Sequence, residues 1–153
     1  MNKRDFLFDT KALEIKSTLG QVDSSILISN ENQLDYSYPP AMTDLYLKVY
    51  IFEKVNAGFN IISCAQEVLA KLVNINNRTY FMVNLLKMKV DLNSYKCKYN
   101  FSQQFTRQYK VYGSFPRITQ NMLSKGVFNV KYRIHLDALL DYEITEEDLY
   151  GQL

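Results

Sequence analysis

The N-terminal thirty residues contain three short apolar runs separated by polar, turn-forming residues. Residues 5–8, 12–18 and 24–29 each combine apolar side chains with few helix signals, which predicts three strands. The polar residues 9–11 lie between the first two runs, and such a brief connection predicts a β-hairpin. Residues 30–36 are polar and predict a short helix or a turn after the third strand.

Longer patterns follow in the rest of the chain. Residues 45–52 are β-branched or aromatic almost throughout, which predicts a central strand buried on both faces. Apolar residues at helical spacing predict a helix over residues 63–74, with Ser63 as its N-cap and Gln66 completing a capping box. The remaining predicted elements are a helix over residues 78–90, strands over residues 105–112 and 127–136, and a short acidic helix within residues 144–153.

Composition and charge narrow the picture. A length of 153 residues suits one domain over residues 1–153, and the order of strands, helices and strands predicts an α+β fold. The formal charge of +2 excludes a uniformly basic nucleic-acid binder but leaves room for a local basic groove. Cys64, Cys97 and the lone His135 are too few and too dispersed for a disulfide framework or a zinc site. With a polar start and no apolar run of membrane length, we expect a cytoplasmic protein without a membrane partner.

The predicted hairpin brings charged residues to one face. Side chains alternate along a strand, so Glu14 and Lys16 share a face. A two-residue turn at Thr10 and Lys11 pairs Asp5 with Lys16, which makes Asp5 and Glu14 diagonal neighbours roughly 7–8 Å apart. The opposite face is expected to point into the core with the side chains of Phe6, Phe8, Leu13 and Ile15.

This arrangement predicts metal chemistry. Two carboxylates at such a distance can share Mg²⁺, a hard cation that binds oxygen ligands and keeps several waters. Lys16 beside the cation could orient a water molecule, stabilise charge that develops on a phosphate, or act as a general base. The pairing leaves Asp5 and Asp9 as equal candidates, because both lie diagonal to Glu14. Charged residues on the open face of a hairpin are also common without any catalytic role.

The segment Arg4-Asp5-Phe6-Leu7-Phe8, followed by Ala12-Leu13-Glu14-Ile15-Lys16-Ser17-Thr18, resembles the PD-(D/E)XK nuclease superfamily. Further segments resemble a bacterial family within it that occurs in restriction and phage-defence gene neighbourhoods. These segments are residues 26–29, 33–35, 44–47, 115–118 and 126–132, so the resemblance runs from about residue 4 to residue 139.

The resemblance implies a restriction-endonuclease-like mixed sheet flanked by helices and an Mg²⁺-dependent DNA endonuclease. It favours Asp5 over Asp9 as the metal ligand, with Glu14 and the backbone carbonyl of Ile15 as the others, and makes Lys16 the catalytic lysine. Mn²⁺ is an alternative cation. The remaining implied residues are Gln33 and Arg117, as possible contacts to DNA. The alternative functions are a non-catalytic DNA-binding or complex-assembly subunit that keeps this fold, and an unrelated α+β protein.

The sequence departs from the superfamily pattern at its N-terminal end. The superfamily fold begins with a helix and a strand ahead of the aspartate strand, whereas four residues precede Asp5 here. Arg4 stands where the proline of the usual Pro-Asp pair would be. We therefore expect this chain to be the C-terminal part of a longer protein, with a homodimer or a partner chain completing the fold.

Overall fold

The computed structural model describes residues 4–20, 24–38 and 41–153. The chain forms two compact units, of which unit 1 comprises Met1–Phe52 with Gln103–Leu153, and unit 2 comprises Glu53–Ser102. The strands and helices in chain order are β1 (Phe6–Phe8), β2 (Lys11–Leu19), β3 (Ser25–Ile28), β4 (Asp44–Val55), α1 (Ile61–Lys71), α2 (Ile75–Lys87), β5 (Asn100–Lys110), β6 (Tyr132–His135), β7 (Glu143–Ile144) and α3 (Glu146–Gln152). Within the described ranges, no helix combines the length and the apolar character needed to cross a membrane.

The strands form a mixed sheet, which confirms the predicted α+β class. A five-stranded sheet has the order β1-β2-β4-β5-β7, and β3 pairs with β6 in a second, two-stranded sheet. β2 is antiparallel to β1 and parallel to β4, while β5 is antiparallel to β7. β4 is the middle strand, as its near-continuous apolar sequence predicted.

The two faces of β4 belong to different apolar clusters, because its side chains alternate. The smaller cluster contains Tyr46 of β4, Leu13 of β2 and Leu149 of α3. On this face Lys48 is buried, and its Nζ lies 2.6 Å from Glu146 Oε1 and 3.0 Å from the hydroxyl of Tyr150, so that α3 is fixed against the sheet. The larger cluster includes Ala12, Ile26, Ile28, Leu45, Leu47, Val49, Ile51 and Ile134.

The strand predicted over residues 127–136 is shorter than expected. Only Tyr132–His135 pair as β6, since Asn129 has a φ of 56° that interrupts an extended chain. The backbone N–H groups of Asn129 and Val130 donate to the buried carboxylate of Glu31, at 3.3 and 2.8 Å. At these two residues the Glu31 side chain therefore accepts the backbone hydrogen bonds that a neighbouring strand would accept in the predicted longer strand.

The prediction that Ser63 is the N-cap of the first helix is wrong. Asn60 takes this position, with its side-chain oxygen accepting hydrogen bonds from Ile62 N at 3.0 Å and Ser63 N at 3.1 Å. Ser63 is the third helical residue, and its hydroxyl accepts a hydrogen bond from Asn60 N. Asparagine and serine both cap helices well, so the sequence offers two starts three residues apart.

The cap gives a stability prediction for unit 2. Asn60→Ala removes the acceptor for two helical N–H groups and is expected to lower the free energy of unfolding by about 1 kcal/mol. Chemical denaturation followed by circular dichroism measures the change. The matched control is Glu67→Ala, which breaks an exposed pair with Lys71 on the same helix and should lower the free energy of unfolding clearly less, because solvent screens such a pair. Equal losses for the two variants would contradict the assignment of the cap.

Candidate active site

The hairpin exists, but its register differs from the prediction. Phe8 pairs with Lys11 and Phe6 with Leu13, so the two turn residues are Asp9 and Thr10 rather than Thr10 and Lys11. Asp9 has a φ of 51°, a left-handed conformation that its short polar side chain tolerates. The pairing shifts by two residues, which preserves the faces and brings Asp5 level with Glu14 instead of Lys16.

The expected position of the core is also wrong in part. Glu14 is fully buried, on the same face as Ala12 and the larger cluster. Leu13, on the opposite face, is buried in the smaller cluster, as predicted. Phe6 and Phe8 were also expected in the core, but they are 49% and 38% exposed and stack on each other. The charged face is therefore the interior face of β2.

Glu14 and Lys16 form an ion pair within this interior. Lys16 Nζ lies 2.6 Å from Glu14 Oε1, and the lysine side chain is 13% exposed. The same ammonium donates to Gln33 Oε1 at 3.0 Å, and this oxygen also accepts the backbone N–H of Ser29 at 2.8 Å. Gln33 thus fixes Lys16 from the turn that follows β3. The structure brings together Glu14, Lys16 and Gln33, three of the predicted site residues.

The environment of Glu14 changes its protonation. Burial raises the pKa of the Glu14 carboxyl from 4.5 to about 7. The hydrogen bond and charge of Lys16 lower this pKa, and the nearby carboxylate of Asp5 raises it. Glu14 Oε2 is buried and has no hydrogen-bond partner among the described residues. Such an oxygen is unusual in a folded protein and is suited to accept a further ligand.

Asp5 contacts Ile15 at the edge of β2 that faces β1. The backbone N–H of Ile15 donates to Asp5 Oδ2 at 2.8 Å. In the ladder between β2 and β4, Gly20 N–H donates to the carbonyl of Phe52, and peptide groups of alternate residues point to opposite edges. Ile15 is an odd number of residues from Gly20, so both its N–H and its C=O point away from β4. The Ile15 carbonyl therefore lies at the same edge as the Asp5 carboxylate.

These groups fit a hard divalent cation. The donors available are the exposed Asp5 carboxylate, the unpartnered Glu14 Oε2 and the carbonyl of Ile15, all oxygen atoms of the kind that Mg²⁺ binds. Across residues 4–20, 24–38 and 41–153, no three or more His, Cys, Asp or Glu side chains cluster as a ready metal site. The site thus has two carboxylates and a backbone oxygen, and water would complete the coordination of a cation.

Arg4 is a buried residue that sequence reasoning did not assign to the site. Its Nη2 donates to the backbone carbonyls of Asp35 and Tyr38, at 2.5 and 3.0 Å. Arg4 also interacts electrostatically with Glu14: burial lowers the pKa of the guanidinium, and the negative charge of Glu14 raises this pKa by a smaller amount. Arg4 directly precedes Asp5, so these hydrogen bonds connect the start of the hairpin to the turn that contains Gln33. A single arginine beside an apolar strand carries no sequence signal for this role.

Arg117 lies on the aromatic ring of Tyr36, three residues after Gln33. The centre of its guanidinium is 4.6 Å from the ring centroid. Its Nη1 is buried and has no hydrogen-bond partner in the part of the chain that the structure describes. Arg117 was predicted as a possible contact to DNA, not as a partner of Asp5 or Glu14. The residue that it contacts, Tyr36, belongs to the same turn as Gln33.

Comparison with known proteins identifies one family. A family model described as "Putative PD-(D/E)XK family member, (DUF4420)" matches residues 1–137. No curated protein and no solved structure matches the chain. The matched residues include both strands of the hairpin, the turn that contains Gln33 and the segment that contains Arg117.

Proposed function

The chain belongs to the DUF4420 family of PD-(D/E)XK proteins, and from this premise we propose that it is an Mg²⁺-dependent DNA endonuclease. The reaction is hydrolysis of a phosphodiester, and we place it in restriction or phage defence in the cytoplasm. The observation that carries the proposal is the convergence of Asp5, Glu14 and Lys16 around one edge and the inner face of β2.

Asp5, Glu14 and the carbonyl of Ile15 are the proposed ligands, with Mn²⁺ as an alternative to Mg²⁺. These residues would hold a divalent cation, whose chemistry there would be to polarise a phosphoryl oxygen and to lower the pKa of a water molecule. Glu14 Oε2 supports this role because it is buried without a hydrogen-bond partner among the described residues. Asp5 is exposed and lies directly before β1, and its carboxylate reaches the same edge of β2, so that the proposed ligands come from two segments of the chain.

Lys16 is the proposed catalytic lysine. Its ammonium is held between Glu14 and Gln33, at 2.6 and 3.0 Å, and so lies beside a proposed cation ligand, where it would orient the attacking water. As the water oxygen bonds to phosphorus and the bond to the leaving sugar oxygen breaks, negative charge grows on the phosphoryl oxygens. Lys16 stabilises that charge, while the proton released by the water passes to solvent and the leaving oxygen gains one from it.

Arg117 is a proposed phosphate contact. A guanidinium offers planar, paired donors that match phosphate oxygens. The buried Nη1 of Arg117 supports this assignment, because it lacks a protein acceptor among the described residues. The Tyr36 ring holds the guanidinium in place by a cation–π contact.

A second candidate function is a non-catalytic DNA-binding or assembly subunit with the same fold. The observation in its favour is the direct pair between Lys16 and Glu14, in which the lysine already neutralises one proposed ligand. In that case the pair serves folding, and a divalent cation has little affinity for the site.

Cleavage by the full chain distinguishes the two functions. We expect purified protein to nick or linearise supercoiled DNA with Mg²⁺ or Mn²⁺ and to lose this activity with EDTA. Isothermal titration with Mn²⁺ should show binding that Asp5→Asn weakens, since Asp5 is an exposed proposed ligand. Absence of both cleavage and cation binding would favour the non-catalytic subunit.

Gln33 gives a graded prediction for the same assay. Gln33→Ala removes one of the two acceptors of Lys16 and is expected to lower the cleavage rate by roughly 10- to 100-fold, because a catalytic group that moves by about 1 Å loses such a factor. Cation affinity should be unchanged, since Gln33 is not a ligand. Gln66→Ala on α1 is the matched control. A rate equal to that of wild type would exclude Gln33 as a positioning residue.

A further inference from the structure

The charge of the chain is divided unevenly between the two units. Of the 18 basic and 16 acidic residues, unit 2 contains seven and three, so its formal charge is +4, while that of unit 1 is −2. Unit 2 therefore has the excess of positive charge that a polyanion would select. The basic residues of unit 2 are Lys54, Lys71, Arg78, Lys87, Lys89, Lys96 and Lys98.

A cavity of about 240 Å³ lies within unit 2. Its lining comes from the start of α1 and from the chain that leads into β5, and consists of Ile61, Tyr95, Cys97, Lys98, Tyr99 and Phe101. Ile61, Tyr95 and Tyr99 are each 44% exposed, so residues with apolar and aromatic side chains at the cavity are accessible to solvent.

The size and lining of the cavity indicate what it can hold. It is several times larger than the roughly 30 Å³ share of one water molecule, but smaller than the roughly 300–1,000 Å³ of sites for whole small molecules. One flat ring of a longer ligand therefore suits it better than a free metabolite. Aromatic walls favour a ring that can stack.

Positive charge borders the same cavity. Lys54 Nζ lies 4.2 Å and Lys98 Nζ 5.2 Å from the centroid of the Tyr99 ring. The two ammonium groups thus share one aromatic ring at the edge of an aromatic-lined space. A ligand that fits has a flat base and phosphates on either side, which is the repeating unit of a nucleic-acid strand.

We propose that unit 2 binds single-stranded nucleic acid, with one unstacked base in the cavity that Tyr95 and Tyr99 line and flanking phosphates at Lys54 and Lys98. The identification of the strand as DNA rests on the proposed function. The binding itself needs neither the metal nor Glu14 and Lys16.

Fluorescence anisotropy with a labelled oligothymidylate tests the proposal on the full chain in EDTA, where no metal-dependent cleavage occurs. We expect Tyr95→Ala to raise Kd by about 10-fold or more, since stacking of one base is worth roughly 1–3 kcal/mol. Lys98→Gln should reduce the slope of log Kd against log salt by about 0.7, as expected for one phosphate contact on a single strand. The control Lys71→Gln, which removes a lysine paired with Glu67 on α1, should change the slope less.

The two cysteines supply a readout that needs no substitution. Cys97 lines the cavity, whereas Cys64 is exposed on α1 and is not part of the lining. Saturating oligothymidylate should slow the alkylation of Cys97, measured by peptide mass spectrometry, and leave Cys64 reactive. Equal alkylation of Cys97 with and without oligonucleotide, or tighter binding of a duplex of the same sequence, would overturn the proposal. Oligonucleotide binding by a protein that fails to cleave supercoiled DNA with Mg²⁺ or Mn²⁺ in the separate assay would count against the proposed nuclease function and leave this site standing.

Discussion

The Glu14→Gln substitution is expected to lower metal-dependent DNA cleavage by at least about 10²–10³-fold, the loss seen when one group that stabilises developing charge is removed. Glutamine has nearly the same volume, and its oxygen can still accept the hydrogen bond from Lys16 that Glu14 Oε1 accepts at 2.6 Å. The amide carries no negative charge, so a cation loses one of two carboxylate ligands. The lost function therefore has a chemical cause rather than a packing cause.

A matched control is Glu67→Gln. Glu67 also pairs with a lysine at 2.6 Å, but on the exposed surface of α1. Initial rates of plasmid cleavage in Mn²⁺, with circular dichroism to verify folding, should show loss of activity only in Glu14→Gln. Similar rates for wild type and folded Glu14→Gln would remove Glu14 from the list of ligands.

The second expectation concerns stability without metal. The carboxyl of Glu14 has a pKa of about 7 in the folded chain and an ordinary value of 4.5. Below pH 4.5 the carboxyl is protonated in both states, so the native protein does not bear the cost of burying the charge. Between pH 4.5 and 7 the folded state binds more protons than the unfolded state, and stability falls as the pH rises. Above pH 7 the loss is complete and amounts to roughly 3 kcal/mol, at 1.36 kcal/mol per pKa unit.

Urea denaturation in EDTA at several pH values measures this effect. Many groups titrate over the range, so the informative quantity is the free energy of unfolding of wild type minus that of Glu14→Gln. This difference should decrease between pH 4.5 and 7, because only wild type has the buried carboxyl. A difference that stays constant with pH would mean that Glu14 ionises in the folded chain as easily as in the unfolded one.

Much of the hairpin could be predicted from sequence, because strand alternation is a local property. The grouping of Glu14 with Lys16 on one face followed from their spacing, and the central position of β4 followed from its apolar sequence. The register could not be chosen reliably, since it depends on which two residues form the turn. Asp9 in a left-handed conformation decides it, and several polar residues at this point could have done so.

The environment of the site depends on distant parts of the chain. Glu14 is buried because residues from β3, β4 and β6 pack against its face of β2, and hydrophobic periodicity cannot show which face receives the larger cover. The contact between Gln33 and Lys16 joins residues separated by a turn and a strand. Only the family resemblance indicates Gln33, and in the sequence Arg4 is visible only as a departure from the motif. Both are positioned by tertiary hydrogen bonds.

The division of charge between the two units affects how the protein behaves on charged media. A formal charge of +2 for 153 residues suggests weak retention on any ion exchanger at neutral pH. A resin responds to the distribution of charge as well as to its sum, and unit 2 has a formal charge of +4 while unit 1 has −2. Retention on heparin should therefore exceed that of a protein of equal net charge with evenly mixed residues, and elution should require correspondingly more salt.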